Sequence, residues 1–262
     1  MPWSVGVRSD RCAAVPIPFI LNILSLETSS EWCSVAAWLD GKMSAREELA
    51  GQRHSEIILP MIDALLRNVG LELAAFDAIA FGAGPGSFTG LRISCGVAQG
   101  LAFAAGIPVA CVSTLLAVAQ GSGADRVAVC LDARMGEVYF GAFQRELGSS
   151  GERRWSIVHP PQLSAPSAVP ELDGGSWVGA GSGFAVHGAT LAERYVGCLS
   201  ETRPEIRARA SDIAELAVDM VRAGLTVAAE DAAPVYIRDR VALTVDERRA
   251  LKAARGAPAG QP

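Results

Sequence analysis

The stretch Phe81-Gly82-Ala83-Gly84-Pro85-Gly86-Ser87-Phe88-Thr89-Gly90-Leu91-Arg92-Ile93 constrains the fold of this chain most strongly. Four glycines, a proline and two hydroxyl residues stand between an apolar, strand-like run and a long helix of small residues. A strand that leaves through such a loop and continues as a helix belongs to an α/β architecture. The loop brings backbone N–H groups to a helix N-terminus, where the helix dipole favours anions. It is not a P-loop, because no Gly-Lys-Ser/Thr follows, and the third glycine of a dinucleotide fingerprint would fall at Ser87. A tight strand-to-helix turn capped by Ser87 or Thr89 explains the same residues without a ligand.

The remaining composition narrows the class. A chain of 262 residues, half of them hydrophobic, suits two modest lobes around a sizeable core. Its net charge is −5 and it has no basic block to grip nucleic acid unaided. Residues 93–124 carry no charge at all, long enough on paper to span a bilayer. Gly106 and Pro108 interrupt that run, so it reads as a buried helix, a strand and a second helix. Residues 1–18 hold Arg8, Asp10 and Arg11 and no continuous apolar core, so they read as an extension and not a secretory signal. The six cysteines form no Cys-x-x-Cys pair, which fits free thiols in a reducing cytoplasm. The three histidines, His54, His159 and His187, are too dispersed for a metal cluster.

Periodicity divides the chain. Residues 20–26 read as a buried strand, followed by a turn at Thr28-Ser29-Ser30 and a returning strand through residues 35–39. Asp40-Gly41 then turns the chain into a third strand near residues 43–48. Residues 126–132 repeat this opening, an apolar strand ending in an acid with a return over 138–143, a weak internal repeat. Residues 54–69 form an amphipathic helix closed by Gly70, with Pro60 inside it. In the next helix, residues 90–105, Gly96, Gly100 and Ala104 lie four apart and make a smooth ridge. Residues 156–159 read as a strand ahead of a proline-rich connector, and Ser211 can cap a helix that Gly224 ends. Thr244-Val245-Asp246-Glu247 has the pattern of a capping box, and residues 256–262 read as disordered.

Five blocks in register carry a resemblance. They are Leu26-Glu27-Thr28-Ser29, His54-Ser55-Glu56 with Leu59-Pro60-Met61-Ile62, the glycine-rich loop, residues 132–139 and Pro234-Val235-Tyr236-Ile237-Arg238. Together they resemble the TsaB (YeaZ) family, the dimerisation subunit of the bacterial tRNA threonylcarbamoyladenosine complex. The resemblance implies an α/β fold of duplicated ribonuclease-H-like lobes, of the actin and sugar-kinase type. It divides the chain into residues 1–18, a first lobe 19–125, a smaller second lobe 126–233 and a C-terminal segment 234–262. It implies a non-catalytic, cytoplasmic scaffold that binds a TsaD-type catalytic subunit, works with a TsaE-type ATPase and meets tRNA only through the complex. A homodimer would form when the partner is absent. ATP or ADP would be held at the assembled complex, with no cofactor of the chain's own.

The same resemblance assigns residues. Glu27, Thr28, Ser29 and Ser30 occupy the first phosphate-contacting turn of that architecture, with Asp132 opposite them, although relatives usually carry aspartate at the Glu27 position. A plain hairpin closed by hydroxyls explains residues 27–30 equally well. The catalytic sister subunit carries two metal-binding histidines four apart on the helix equivalent to residues 54–69. Here Ile58 follows His54 at that spacing, so no such pair forms. Asp132, Arg134, Glu137 and Tyr139 form a polar cluster whose plain reading is a surface salt bridge beside a core tyrosine. The expected partner surface is His54, Ile57, Ile58, Met61, Ile62 and Leu65 on one helix and Arg92, Gly96 and Gly100 on the next. Those stripes serve the chain's own sheet equally well, because periodicity does not say whose surface covers them. Two other classes fit less well: an independent kinase or ATPase with Glu27 and Asp132 around a metal-bound nucleotide, and a metalloprotease.

Overall fold

The protein is described by a computed structural model that covers residues 20–148 and 153–238. Its first sheet begins with β1 (Asn22–Glu27), β2 (Trp32–Leu39) and β3 (Lys42–Leu49), joined as antiparallel hairpins. Asp40 (φ 46°) and Gly41 (φ 86°) make the second hairpin, a sharp turn with both central residues at positive φ. After α1 (His54–Val69) the chain re-enters the sheet as β4 (Ala78–Gly84), parallel to β1. The glycine-rich loop leads into α2 (Phe88–Ala105), with Ser87 as N-cap accepting from the Gly90 amide at 3.3 Å. Then come β5 (Val109–Ser113), parallel to β4, and α3 (Thr114–Ser122). The uncharged run 93–124 is thus helix, strand and helix. Among the described residues no helix is long and apolar enough to cross a membrane.

The second sheet repeats the first. β6 (Arg126–Asp132), β7 (Val138–Leu147) and β8 (Arg153–Ser164) form antiparallel hairpins. β9 (Trp177–Ala180) and β10 (Leu199–Arg203) add parallel strands, with the short helices α4 (Gly183–Val186) and α5 (Gly188–Arg194) between them. The orders β3-β2-β1-β4-β5 and β8-β7-β6-β9-β10 are the same pattern twice. The chain is therefore an α/β protein of duplicated ribonuclease-H-like lobes, of the actin and sugar-kinase type.

Three apolar layers hold it together. One packs the outer face of the first sheet under α1 and α2, through Leu24, Leu26, Ile58, Leu65, Phe81 and Ala98. A second packs the outer face of the second sheet around Phe140 and Trp177. The third lies between the sheets and includes Ile23, Val112, Leu115, Val129, Phe143 and Ile213. Strands buried on both faces need near-continuous apolar sequence, as β4 and β6 have.

Two expectations change. The strand read as residues 156–159 extends through Pro160 and Pro161, because β8 is a sheet edge and both prolines fall in a register shift, opposite Gly141. Helix α6 (Ala210–Arg222) begins at Arg209 without a side-chain cap, so Ser211 lies inside it. It also returns to the first sheet, where Ser25 Oγ donates to Ala210 O at 2.6 Å and the Ala210 amide donates to Ser34 Oγ at 2.9 Å. The expected extension at 1–18, the capping box at 244–247 and the tail at 256–262 lie outside the described residues.

Candidate functional site

Where the two lobes meet, the glycine-rich loop lies on the turn that follows β1. Thr28 Oγ1 donates to Gly90 O at 2.7 Å, and the Ser87 amide donates to Ser29 O at 2.8 Å. A Cβ on Gly90 would overlap the Thr28 carbonyl, so only glycine permits this approach. The Gly84 amide donates to Thr114 Oγ1 at 3.1 Å, and the Gly84–Pro85 peptide is cis. The amides of Gly84, Ser87 and Gly90 are thereby committed to the chain itself. Ser29 is buried against Gly86, and half-buried Ser30 accepts from the Trp32 amide at 3.2 Å.

Glu27 is fully enclosed beneath this loop. Its Oε1 accepts from the Ser29 amide, and its Oε2 rests against Gly82 with no hydrogen-bond partner among the described residues. Burial pushes its carboxyl pKa up, partly offset by hydrogen bonds from Ser29 and Thr28. Residues 27–29 are therefore interior.

The C-terminal segment fills the rest of the cleft. The Val235 amide donates to Ala83 O at 2.7 Å, alongside the end of β4. The Tyr236 ring packs tilted against Phe88 with centroids 5.3 Å apart, and its hydroxyl accepts from Arg92 Nε at 3.0 Å. The Arg92 guanidinium covers the Phe88 ring at 3.9 Å. Arg238 then reaches the second lobe, pairing with Glu137 Oε2 at 2.8 Å and donating to Ala133 O at 2.9 Å. A small pocket lies beside it, with Pro85, Gly86, Leu91 and Tyr139 among its lining residues. Asp132 sits nearby, 3.2 Å from Arg134 and 3.6 Å from His187 Nε2. The polar cluster at 132–139 is thus brought together, but Glu137 is turned to Arg238 and Asp132 to Arg134 and His187.

The two helices of the expected partner surface divide sharply. Ile58 (1 % exposed), Met61, Ile62 and Leu65 (0 %) pack into the chain's own core. His54 is likewise buried, its Nε2 3.3 Å from Trp32 O. Among the described residues no three His, Cys, Asp or Glu side chains gather to hold a metal. Ile57 is half-buried. Arg92, Gly96 and Gly100 are exposed, and a Cβ on either glycine would meet open space. Leu59 (53 %) and Phe103 (79 %), outside the expected partner surface, are exposed on the same two helices. The spacing 96, 100, 103 continues one helical face, the signal that could have found Phe103. Tyr236 and Arg238 stood out only as a block of resemblance, since nothing local ties them to α2 or Glu137.

Residues 47–244 match the family model described as "TsaD: tRNA N6-adenosine threonylcarbamoyltransferase". The Escherichia coli protein named "tRNA threonylcarbamoyladenosine biosynthesis protein TsaB" is 40% identical over 228 residues, covering 85% of this chain and 96% of that one. This chain belongs to the TsaB (YeaZ) family. The Haemophilus influenzae TsaB is 38% identical, over 84% of this chain and 95% of its own length. The structure described as "YeaZ from Pseudomonas aeruginosa" superposes with a TM-score of 0.74 at 40% identity, covering 82% of this chain and 99% of that one. A second Pseudomonas aeruginosa structure, described as similar to "peptidase YEAZ", gives 0.74 at 39% identity, over 83% and 100%. The match to the Escherichia coli TsaB thus covers 85% of the chain.

Proposed function

We propose that this chain is a non-catalytic subunit of tRNA threonylcarbamoyladenosine biosynthesis that binds and activates a TsaD-type catalytic subunit. Its relatives' names support involvement in that pathway. The filled cleft carries the non-catalytic reading: Glu27, Thr28 and Ser29 face the chain's own backbone, and Val235, Tyr236 and Arg238 occupy the gap between lobes. An ATP or ADP molecule in the assembly is then held by the partner subunits, including a TsaE-type ATPase. The partner docks on the exposed ridge of α2, at Arg92, Gly96, Gly100 and Phe103, beside Leu59 of α1. Without a partner the same ridge supports a homodimer, so the two assemblies compete. With a net charge of −5 the chain meets tRNA only within the complex, in the cytoplasm.

The test uses the purified full chain. Calorimetric titration with ATP and Mg²⁺ should give no heat of binding, and no ATP hydrolysis, proteolysis or threonylcarbamoyl transfer should be measurable. Mixed with a TsaD-type subunit from the same genome, the chain should co-elute with it and raise its transfer rate. Tight ATP binding with turnover by the chain alone would overturn the reading, as would failure to co-elute.

A further inference from the structure

We propose that residues 234–238 act as a strap that mechanically couples the first turn of α2 to the turn 133–137 of the second lobe. Both ends of the strap are fixed by specific chemistry. On the first lobe the Val235 amide is bonded to Ala83 O, and the Tyr236 ring and hydroxyl engage Phe88 and Arg92. On the second lobe Arg238, nearly buried, pairs with Glu137, donates to Ala133 O and approaches Met135 Sδ at 3.2 Å.

The strap's path is restricted along its length. Gly84 has φ +116°, and a Cβ there would press on Val235 O at 2.8 Å, so the loop is shaped to let the strap lie on it. Upstream, Gln99 Nε2 donates to Ala232 O at 2.8 Å, which runs the preceding residues along α2. The turn it grasps is itself unusual. Arg134 (φ 62°) and Met135 (φ 57°) are both in the left-handed region, a conformation non-glycine residues hold only when neighbours over-determine it. Within the turn, the Ala133 amide donates to Glu137 O and the Glu137 amide to Arg134 O. Arg238 clamps it from outside by engaging Ala133 and Glu137 together.

Two residues separate Val235 from Arg238, so a displacement at one end has little slack to absorb it. Coupling of this kind is reciprocal. The consequence for assembly rests on the proposed function: a partner gripping the start of α2 would also steady the turn 133–137, and the converse.

Hydrogen exchange measured by mass spectrometry on the full chain tests this. Tyr236→Ala alters the α2 end alone, yet should speed exchange at the Ala133 and Glu137 amides by about tenfold or more. Arg238→Gln alters the other end and should speed exchange at the Gly90, Leu91 and Val235 amides. Glu137→Gln, which leaves the strap's sequence intact, should reproduce Arg238→Gln, and the double variant should be no worse than either alone. A melting curve establishes that each variant is folded. Should each substitution speed exchange only at its own end, the strap is a passive filler and the proposal fails. Addition of a TsaD-type subunit should slow exchange at Ala133 and Glu137 in the unaltered chain. Absence of any complex would overturn the proposed function while the exchange results still decide the strap.

Discussion

Glu27 and Asp212 are acids placed where water does not reach them freely. For Glu27 burial dominates, and the folded carboxyl holds its proton above the ordinary 4.5. Asp212 is pushed up to about 7, first by burial and then by Glu215, with Arg209 opposing, and its Oδ2 lacks a partner among the described residues. A raised carboxyl pKa means the folded state binds more protons than the unfolded one across the interval. Stability is then fullest below the ordinary carboxyl range and is lost as pH rises through the folded pKa. For Asp212 that window runs from 3.8 to about 7. Asp212→Asn should therefore flatten the melting temperature between pH 4 and 7, and Glu27→Gln, which keeps an acceptor for the Ser29 amide, should flatten it above the ordinary glutamate range. Profiles parallel to the unaltered chain would contradict the assignment. The sequence placed an acid at position 27, but only the fold turned it inward, because Gly82 leaves room beneath the loop.

Helix α2 presents two kinds of glycine, and they predict opposite behaviour. At Gly100 an added side chain meets open space, so Gly100→Leu should fold and gain about 0.5–1 kcal/mol from helix propensity. If the ridge is the docking face, the same variant weakens both the homodimer and the complex. At Gly90 a methyl group collides with the Thr28 carbonyl, and Gly90→Ala should cost about 1–3 kcal/mol as the first turn shifts. Thermal melts followed by sedimentation separate the two effects. A stable Gly90→Ala together with an unfolded Gly100→Leu would mean that the burial of the two faces is reversed. The apolar stripe of α1 teaches the same lesson from the other side. Its period was legible in the sequence, and it proved to be core, since Ile58, Ile62 and Leu65 cover the first sheet.

At the scale of the whole molecule the layer between the sheets makes the lobes interdependent. Helix α6 follows the second lobe in sequence, yet Ile213 joins Ile23 and Val112 from the first sheet and Val129 and Phe143 from the second. A fragment ending at Asp125 would leave that face of the first sheet without α6, and it should show no cooperative melt. The full chain should unfold in one transition, with calorimetric and van't Hoff enthalpies in agreement. A fragment that melts cooperatively near the full chain's temperature would mean that the interlobe layer contributes little.

The sequence by itself determined the local frame: an α/β chain, a loop capped by Ser87, turns at Asp40-Gly41 and Gly70, and two copies of one strand pattern. Those features follow from periods of 2 and 3.6 and from residues whose backbone preferences act at short range. The family, too, was legible from five ordered blocks. Only the tertiary structure decided which side of α1 is interior, that Glu27 is sealed, that α6 returns to the first sheet and that Arg238 grasps Glu137. Each depends on contacts between residues far apart in the chain, and a local pattern states that a face is apolar or a side chain charged without stating what will meet it.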